Sequence, residues 1–153
     1  MDPRPTRRNK KSAARPLLAA LLLKLALAVL QSIFEENKSE ILAGAIVWTP
    51  MLQTDSVDTA IQRELNFSDA RLKQLWNPER IFGSVISQTL HLQISIARDV
   101  YLLYPPDHRW DAELPLTPEF WMHQQDEEAS LYLDPSHFQQ YVQTVVERIA
   151  FNG

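Results

Sequence analysis

The sequence contains no cysteine, and only three of its 153 residues are glycine. Without cysteine the chain cannot form disulfides, thiolate metal sites or a cysteine nucleophile. Tight turns with positive φ rely on glycine, so a fold with many short strands is disfavoured. Glycine-rich phosphate loops, the G-x-S-x-G motif and paired metal-binding motifs are missing as well. These absences favour a helical protein and predict a function without catalytic residues or a cofactor.

The charges are distributed unevenly along the chain. Residues 1–16 hold six Lys/Arg and one acidic residue, a balance of 6 − 1 = +5, whereas residues 17–153 hold nine and eighteen, a balance of 9 − 18 = −9. We expect residues 1–16 to be a disordered basic arm. The arm attracts phosphate, but it has no aromatic residue for base stacking, and the acidic body repels nucleic acid. Nucleic-acid binding through the arm is therefore a disfavoured alternative.

Residues 17–34 form an apolar stretch of eight Leu and four Ala, interrupted by Lys24, Gln31 and Ser32. A helix of this length spans about 27 Å, close to the thickness of a bilayer core. The preceding positive charges would hold the N-terminus in the cytoplasm. The pattern predicts a single-pass membrane anchor, with the C-terminal domain on the opposite side of the membrane. The residues taken to define this anchor are Leu17, Leu21, Lys24, Leu25 and Phe34.

The same segment has two other interpretations. Lys24 and Gln31 fall on one narrow stripe of a helix, which continues through Glu35 and Lys38 with Ala28 beside it. Such a helix can pack into the bundle of a soluble cytoplasmic protein, against a partner, or in a membrane interface. Alternatively, the segment is a cleaved signal peptide with its cleavage site at Ala26-Leu27-Ala28.

Several helix-start signals follow the connector at residues 35–53. At Asn77-Pro78, Thr117-Pro118 and Asp134-Pro135 a capping residue precedes proline, which suits the first position of a helix. These signals predict an all-α fold, a bundle of about five helices in an acidic domain at 54–153 behind the N-terminal apolar helix. The expected helices cover residues 55–65, 69–76, 78–103, 118–131 and 135–150.

Two stretches qualify this prediction. Residues 41–47, inside the connector, form a second apolar run that must end before Pro50, because proline disfavours a helical residue ahead of it. Residues 90–96 alternate apolar and polar side chains, as a half-buried strand does. The alternative fold is therefore α+β, with a strand near 89–97.

A candidate metal site lies in the predicted helix 118–131. Glu119, His123 and Glu127 are spaced at i, i+4 and i+8, so a helix would place them on one face, and His137 of the next helix could be a fourth ligand. Carboxylate and imidazole groups at such spacing can bind a divalent metal or share a proton. An ordinary solvated helix face is the competing interpretation.

Two tryptophans are candidate interface residues. Trp110 lies in a proline-rich loop at 104–116, and Trp121 lies close behind it; tryptophan is enriched at binding hot spots. Taken together, the sequence predicts a non-enzymatic, membrane-anchored helical subunit that assembles with other proteins in a membrane or envelope complex. The main alternative is a soluble all-α protein–protein interaction module. A metal-dependent enzyme and a tail-mediated nucleic-acid binder are less favoured.

Overall fold

The chain combines helices with two small sheets. The computed structural model describes residues 25–51, 58, 69–106, 108–109, 114–125 and 127–152. Across these ranges the elements are helix α1 (residues 25–36), strands β1 (Gly44–Trp48) and β2 (Leu72–Trp76), helix α2 (Ile81–Thr89), strands β3 (Val100–Leu103) and β4 (Phe120–His123), a 3-10 helix (Ala129–Leu131) and helix α3 (Pro135–Asn152). β1 pairs with β2 in parallel, and β3 with β4 antiparallel. The fold is α+β, and the all-α prediction is wrong.

The core lies where α1, α3 and the β3–β4 pair meet. α1 and α3 lie side by side and run in the same direction, because Ser32 contacts Gln139 while Asn37 Nδ2 donates to Gln143 Oε1 at 3.0 Å. The buried side chains of this cluster are Val29, Ile33, Phe34, Tyr101, Met122, Leu133, Phe138, Val142 and Val146. The N-terminal and C-terminal parts of the described chain therefore share one core.

Helix α3 confirms the sequence prediction for residues 135–150. The Asp134 carboxylate accepts a hydrogen bond from the His137 N–H at 2.9 Å, and Pro135 occupies the first helical position, where no donor is needed. Phe138, Val142, Val145 and Val146 are buried on one face. A local cap and a helical repeat of apolar residues are sufficient to define this element.

Helix α1 buries the apolar face that was predicted to contact lipid. Val29, Ile33 and Phe34 are each no more than 5% exposed, and they pack into the protein core. The predicted polar stripe faces solvent instead: its described members, which are all exposed, are Ala28, Gln31, Glu35 and Lys38. The apolar face is thus occupied by α3 and the sheets.

Among the helices of the described ranges, none combines the length and the apolar composition that crossing a bilayer needs. This finding contradicts the prediction of a single-pass membrane protein with its N-terminus in the cytoplasm. Of the proposed anchor residues, Leu25 and Phe34 belong to α1. Leu17, Leu21 and Lys24 lie outside the described residues, as do the basic arm and nearly all of the predicted helix at 55–65.

The predicted helix over 78–103 ends early, at Thr89. His91 has a φ of 54°, in the left-handed region, which turns the chain back on itself. The returning backbone packs against α2, where the Ala97 N–H donates to the Gly83 carbonyl at 2.8 Å. A Cβ at Gly83 would lie 2.7 Å from the Ala97 carbonyl oxygen, so this approach needs glycine.

Three further predictions differ from the structure in this region. The strand expected near 89–97 is not found there; the chain bends through 93–96, and β3 begins at Val100. The helix expected at 69–76 is replaced by β2. The start signal at Thr117-Pro118 leads into β4 rather than a helix over 118–131. At 69–76 and 118–131, strand pairing with a distant segment overrides the local pattern, whereas at 89–97 the left-handed turn at His91 and the bends that follow replace the expected strand.

Candidate functional site

The four predicted metal ligands are dispersed, because the segment carrying three of them is a strand and a loop rather than a helix. Glu119 forms a two-pronged salt bridge with Arg148 of α3, at 2.7 and 2.8 Å. Glu127 Oε1 accepts from the Gln93 N–H at 3.0 Å. The ring of His137 lies against Phe120, 5.4 Å between centroids. Among the described residues, no group of three or more His, Asp or Glu side chains is arranged to hold a metal ion.

His123, the fourth candidate, is fully buried at the end of β4. The Gln125 N–H donates to its Nδ1 at 3.2 Å, so the proton of the neutral ring is on Nε2, which lies 2.8 Å from the Glu128 carbonyl and donates to it. The His123 carbonyl also accepts from the Leu133 N–H at 2.7 Å. Both ring nitrogens are therefore used to fix the loop that follows β4, and neither offers a lone pair to a metal.

A second buried polar group lies next to His123. The Tyr101 hydroxyl donates to Gln124 Oε1, and both side chains are buried. Burial raises the pKa of Tyr101, and the nearby Asp99 and Tyr132 raise it further. Within the described residues Gln124 Nε2 has no hydrogen-bond partner. Because its pKa is raised, the Tyr101 hydroxyl stays protonated near neutral pH. It can therefore donate a hydrogen bond, but it cannot act as a base.

Of the two tryptophans named as interface candidates, Trp121 is described and Trp110 lies outside the described residues. Trp121 is partly buried in β4 and pairs with Leu102 of β3. This pair lies on the opposite face of the sheet from Tyr101 and Met122, which point into the core. Its role in an interface stays a prediction.

Among the described residues, no strand pairs with the outer edge of β1. The Gly44 N–H donates to the Arg71 carbonyl at 2.9 Å, and the Asn77 N–H donates to the Trp48 carbonyl at 2.8 Å. In a parallel pair alternate residues of a strand direct both their N–H and C=O toward the neighbour. Gly44 and Trp48 therefore face β2, and Ala45 and Val47 face away from it. Within the described residues, the backbone groups of Ala45 and Val47 have no hydrogen-bond partner.

The outer edge of β2 is better protected than that of β1. Its outward residues are Leu72, Gln74 and Trp76, and the Leu72 N–H already donates to the Asp69 carbonyl at 3.0 Å. β2 also carries the charged, exposed Lys73, whereas β1 contains no charged residue and no proline. Exposed edges usually carry a charge, a proline or a bulge that prevents further pairing. β1 has neither charge nor proline, so its edge can accept another strand.

Arg71 fixes this sheet to the end of α1. Its guanidinium donates to the carbonyls of Phe34, Asn37 and Ser39, at 2.7, 2.6 and 3.0 Å respectively, and lies over the Phe34 ring, 5.0 Å from its centroid. These are carbonyls at and beyond the helix C-terminus, which favours a cation. Hydrogen bonds from Arg71 lower the pKa of Asp69 to about 2. The sheet is thereby held in one position on the core.

Close packing reinforces this attachment at the start of β1. A Cβ at Gly44 would lie 2.8 Å from Leu72 Cδ1 and 3.0 Å from Phe34 Cζ. The opposite face of the sheet is more open: Ala45, Lys73 and Leu75 are exposed, and Leu75 is 52% exposed. The edge of β1 is thus presented by an element that is fixed on the core.

Neither Arg71 nor the β1 edge was predicted from the sequence. A signal for β1 existed, because residues 41–47 are a short apolar run with adjacent β-branched residues, bounded by Pro50. No signal marks Arg71, because its carbonyl acceptors are contributed by residues 34–39.

No protein-family model matches the chain, and neither a curated protein nor a solved structure shows significant similarity to it.

Proposed function

We propose that this chain is a non-enzymatic protein–protein interaction module that binds an extended strand of a partner along the edge of β1. The observation that carries the proposal is the pair of outward-facing residues Ala45 and Val47, whose backbone N–H and C=O groups lack partners among the described residues. An extended polypeptide supplies the complementary donors and acceptors at the required spacing.

The small size of the β1–β2 sheet supports the same conclusion. Two-stranded sheets are marginal on their own, and parallel strands are usually covered on both faces. An added strand would place alternate side chains beside Ala45 and Val47 on the outer side of β1. Main-chain hydrogen bonds would provide affinity, and these apolar contacts would provide selectivity.

Three of the titratable groups in the described residues are occupied by structural bonds. Both ring nitrogens of His123 hold the loop after β4, and the Glu119 carboxylate is paired with Arg148. Tyr101, with its raised pKa, is bonded to Gln124. These arrangements favour a binding role over a catalytic one.

Site-specific photo-crosslinking tests the proposal. A benzophenone amino acid would replace Ala45 in the full chain expressed in its native cells, with the same substitution at Ala150, exposed on α3, as the matched control. We expect the Ala45 position to form an adduct that mass spectrometry maps to an extended polypeptide segment. Adding Val47→Pro, which removes an outward N–H without breaking the β1–β2 pairing, should abolish the adduct. Equal labelling from both positions, or adducts that persist with Val47→Pro, would overturn the proposal.

A further inference from the structure

We infer that the strand bound by β1 is the β1 strand of a second copy of this chain, paired antiparallel about a two-fold axis at Ile46. This inference rests on the proposed function and names its partner. In an antiparallel pair, directly opposed residues that face each other exchange both of their hydrogen bonds. Ala45 would therefore pair with Val47 of the second copy, and Val47 with Ala45, which satisfies all the outward groups of both residues.

The register follows from the direction of the backbone groups. Ala45 and Val47 face outward and lie symmetrically on either side of Ile46. A shift by one residue would oppose outward-facing groups to groups already bonded to β2. A shift by two residues again brings outward-facing groups opposite each other, but it leaves part of each strand without a partner strand. Only the alignment centred on Ile46 overlaps the whole of Gly44–Trp48 in both copies.

The charges of the sheet permit this pairing of identical strands. β1 contributes no charge to the junction. The nearest charge on the sheet is Lys73, which lies one strand away from the edge. In the four-stranded product the two Lys73 strands are separated by three strand spacings, about 14 Å, which exceeds the screening length of about 8 Å at physiological salt. Repulsion between the two copies at this position is therefore weak.

The side chains are also complementary to themselves. In this register Gly44 lies opposite Trp48 of the second copy, so the largest side chain of the strand faces the residue with none. Ile46 lies opposite its own counterpart, and Ala45 opposite Val47. Cross-strand pairs of apolar and aromatic residues stabilise antiparallel sheets. The resulting order β2–β1–β1–β2 gives a four-stranded sheet, a common size.

The first test is sedimentation velocity of the full chain from micromolar to millimolar concentration. We expect a concentration-dependent dimer. Ala45→Pro should weaken the dimer by about tenfold or more. The substitution removes the outward N–H of residue 45, and because the dimer is two-fold symmetric, each copy loses one donor. The matched control, Ala45→Ser, keeps the backbone N–H at the same exposed position and should leave the dimer unchanged. Circular dichroism and urea midpoints establish that each variant is folded.

The second test examines the register. Ala45→Lys combined with Val47→Glu places opposite charges directly across the proposed junction, whereas Ala45→Lys combined with Val47→Lys places like charges there. We expect the first double variant to dimerise at least about tenfold more tightly than the second, with the difference reduced at about 1 M salt. Equal association of the two would overturn the register.

The outcomes also separate this inference from the proposed function. A wild-type chain that remains monomeric at every concentration, or a dimer unaffected by Ala45→Pro, would overturn the second copy as the partner. In either case, an Ala45 crosslink to a different protein would still support strand binding at this edge. The absence of any specific crosslink would overturn strand binding itself.

Discussion

Replacing Phe34 with alanine should destabilise the whole domain, because its ring belongs to the core. Phe34 is 3% exposed, packs within the core cluster, and lies directly beneath Gly44 of β1. Removing roughly 150 Å² of buried aromatic surface at about 25 cal/mol per Å² costs about 4 kcal/mol. This value agrees with the 3–5 kcal/mol typical of such truncations, and it corresponds to a decrease of about 8–16 °C in the melting temperature.

Urea denaturation followed by circular dichroism and tryptophan fluorescence would measure the loss. Glu35→Ala is the matched control, because Glu35 neighbours Phe34 on α1 but is exposed, and its carboxylate accepts from the exposed Gln31. We expect the control to change the free energy of unfolding by less than about 0.5 kcal/mol. If Phe34→Ala cost less than about 1 kcal/mol, the assignment of the α1 apolar face to the protein core would be refuted.

Two further predictions concern His123 and Asp69. His123→Phe leaves the Gln125 N–H and the Glu128 carbonyl without their partner and should lower the free energy of unfolding by about 2–4 kcal/mol. The control, His137→Phe at an exposed position, should lower it by less than about 0.5 kcal/mol. Equal urea midpoints for the two variants would contradict the proposed role of the His123 ring. The pKa of Asp69 is lowered from 3.8 to about 2, so its stabilising contribution is complete above pH 3.8 and is lost as the pH falls toward 2. Asp69→Asn should therefore flatten the dependence of the urea midpoint on pH between 4 and 2, and parallel curves for variant and wild type would show that the Arg71 interaction has no influence on acid stability.

The sequence predicts elements whose determinants are local. Helix α3 was predictable because its cap, Asp134, and its buried face lie within its own residues. The polar stripe of α1 was predictable for the same reason. The partner that covers the apolar side of α1 was not predictable, because lipid and a protein core select the same leucine-rich pattern. The residues of α3 that α1 contacts lie about a hundred positions further along the chain.

The helices wrongly predicted at 69–76 and 118–131 share a physical cause, which is pairing between distant segments. β4 was interpreted as part of a helix because Glu119, His123 and Glu127 have helical spacing. Its actual conformation depends on antiparallel pairing with Val100–Leu103, some twenty residues earlier. The candidate site at β1 depends in the same way on β2, since the bond from Gly44 to the Arg71 carbonyl decides which backbone groups face outward. No single stretch of sequence contains that information.

The contact between α1 and α3 has a consequence for how the chain matures on the ribosome. Ser32 and Gln139, which meet in the folded protein, are separated by 107 positions. At a synthesis rate of about 5–20 residues per second, the leucine-rich helix emerges about 5–20 s before the surface that covers it. Throughout this interval the nascent chain presents Val29, Ile33 and Phe34 to water, so we expect it to need shielding by a chaperone and to complete this core only after α3 has been synthesised.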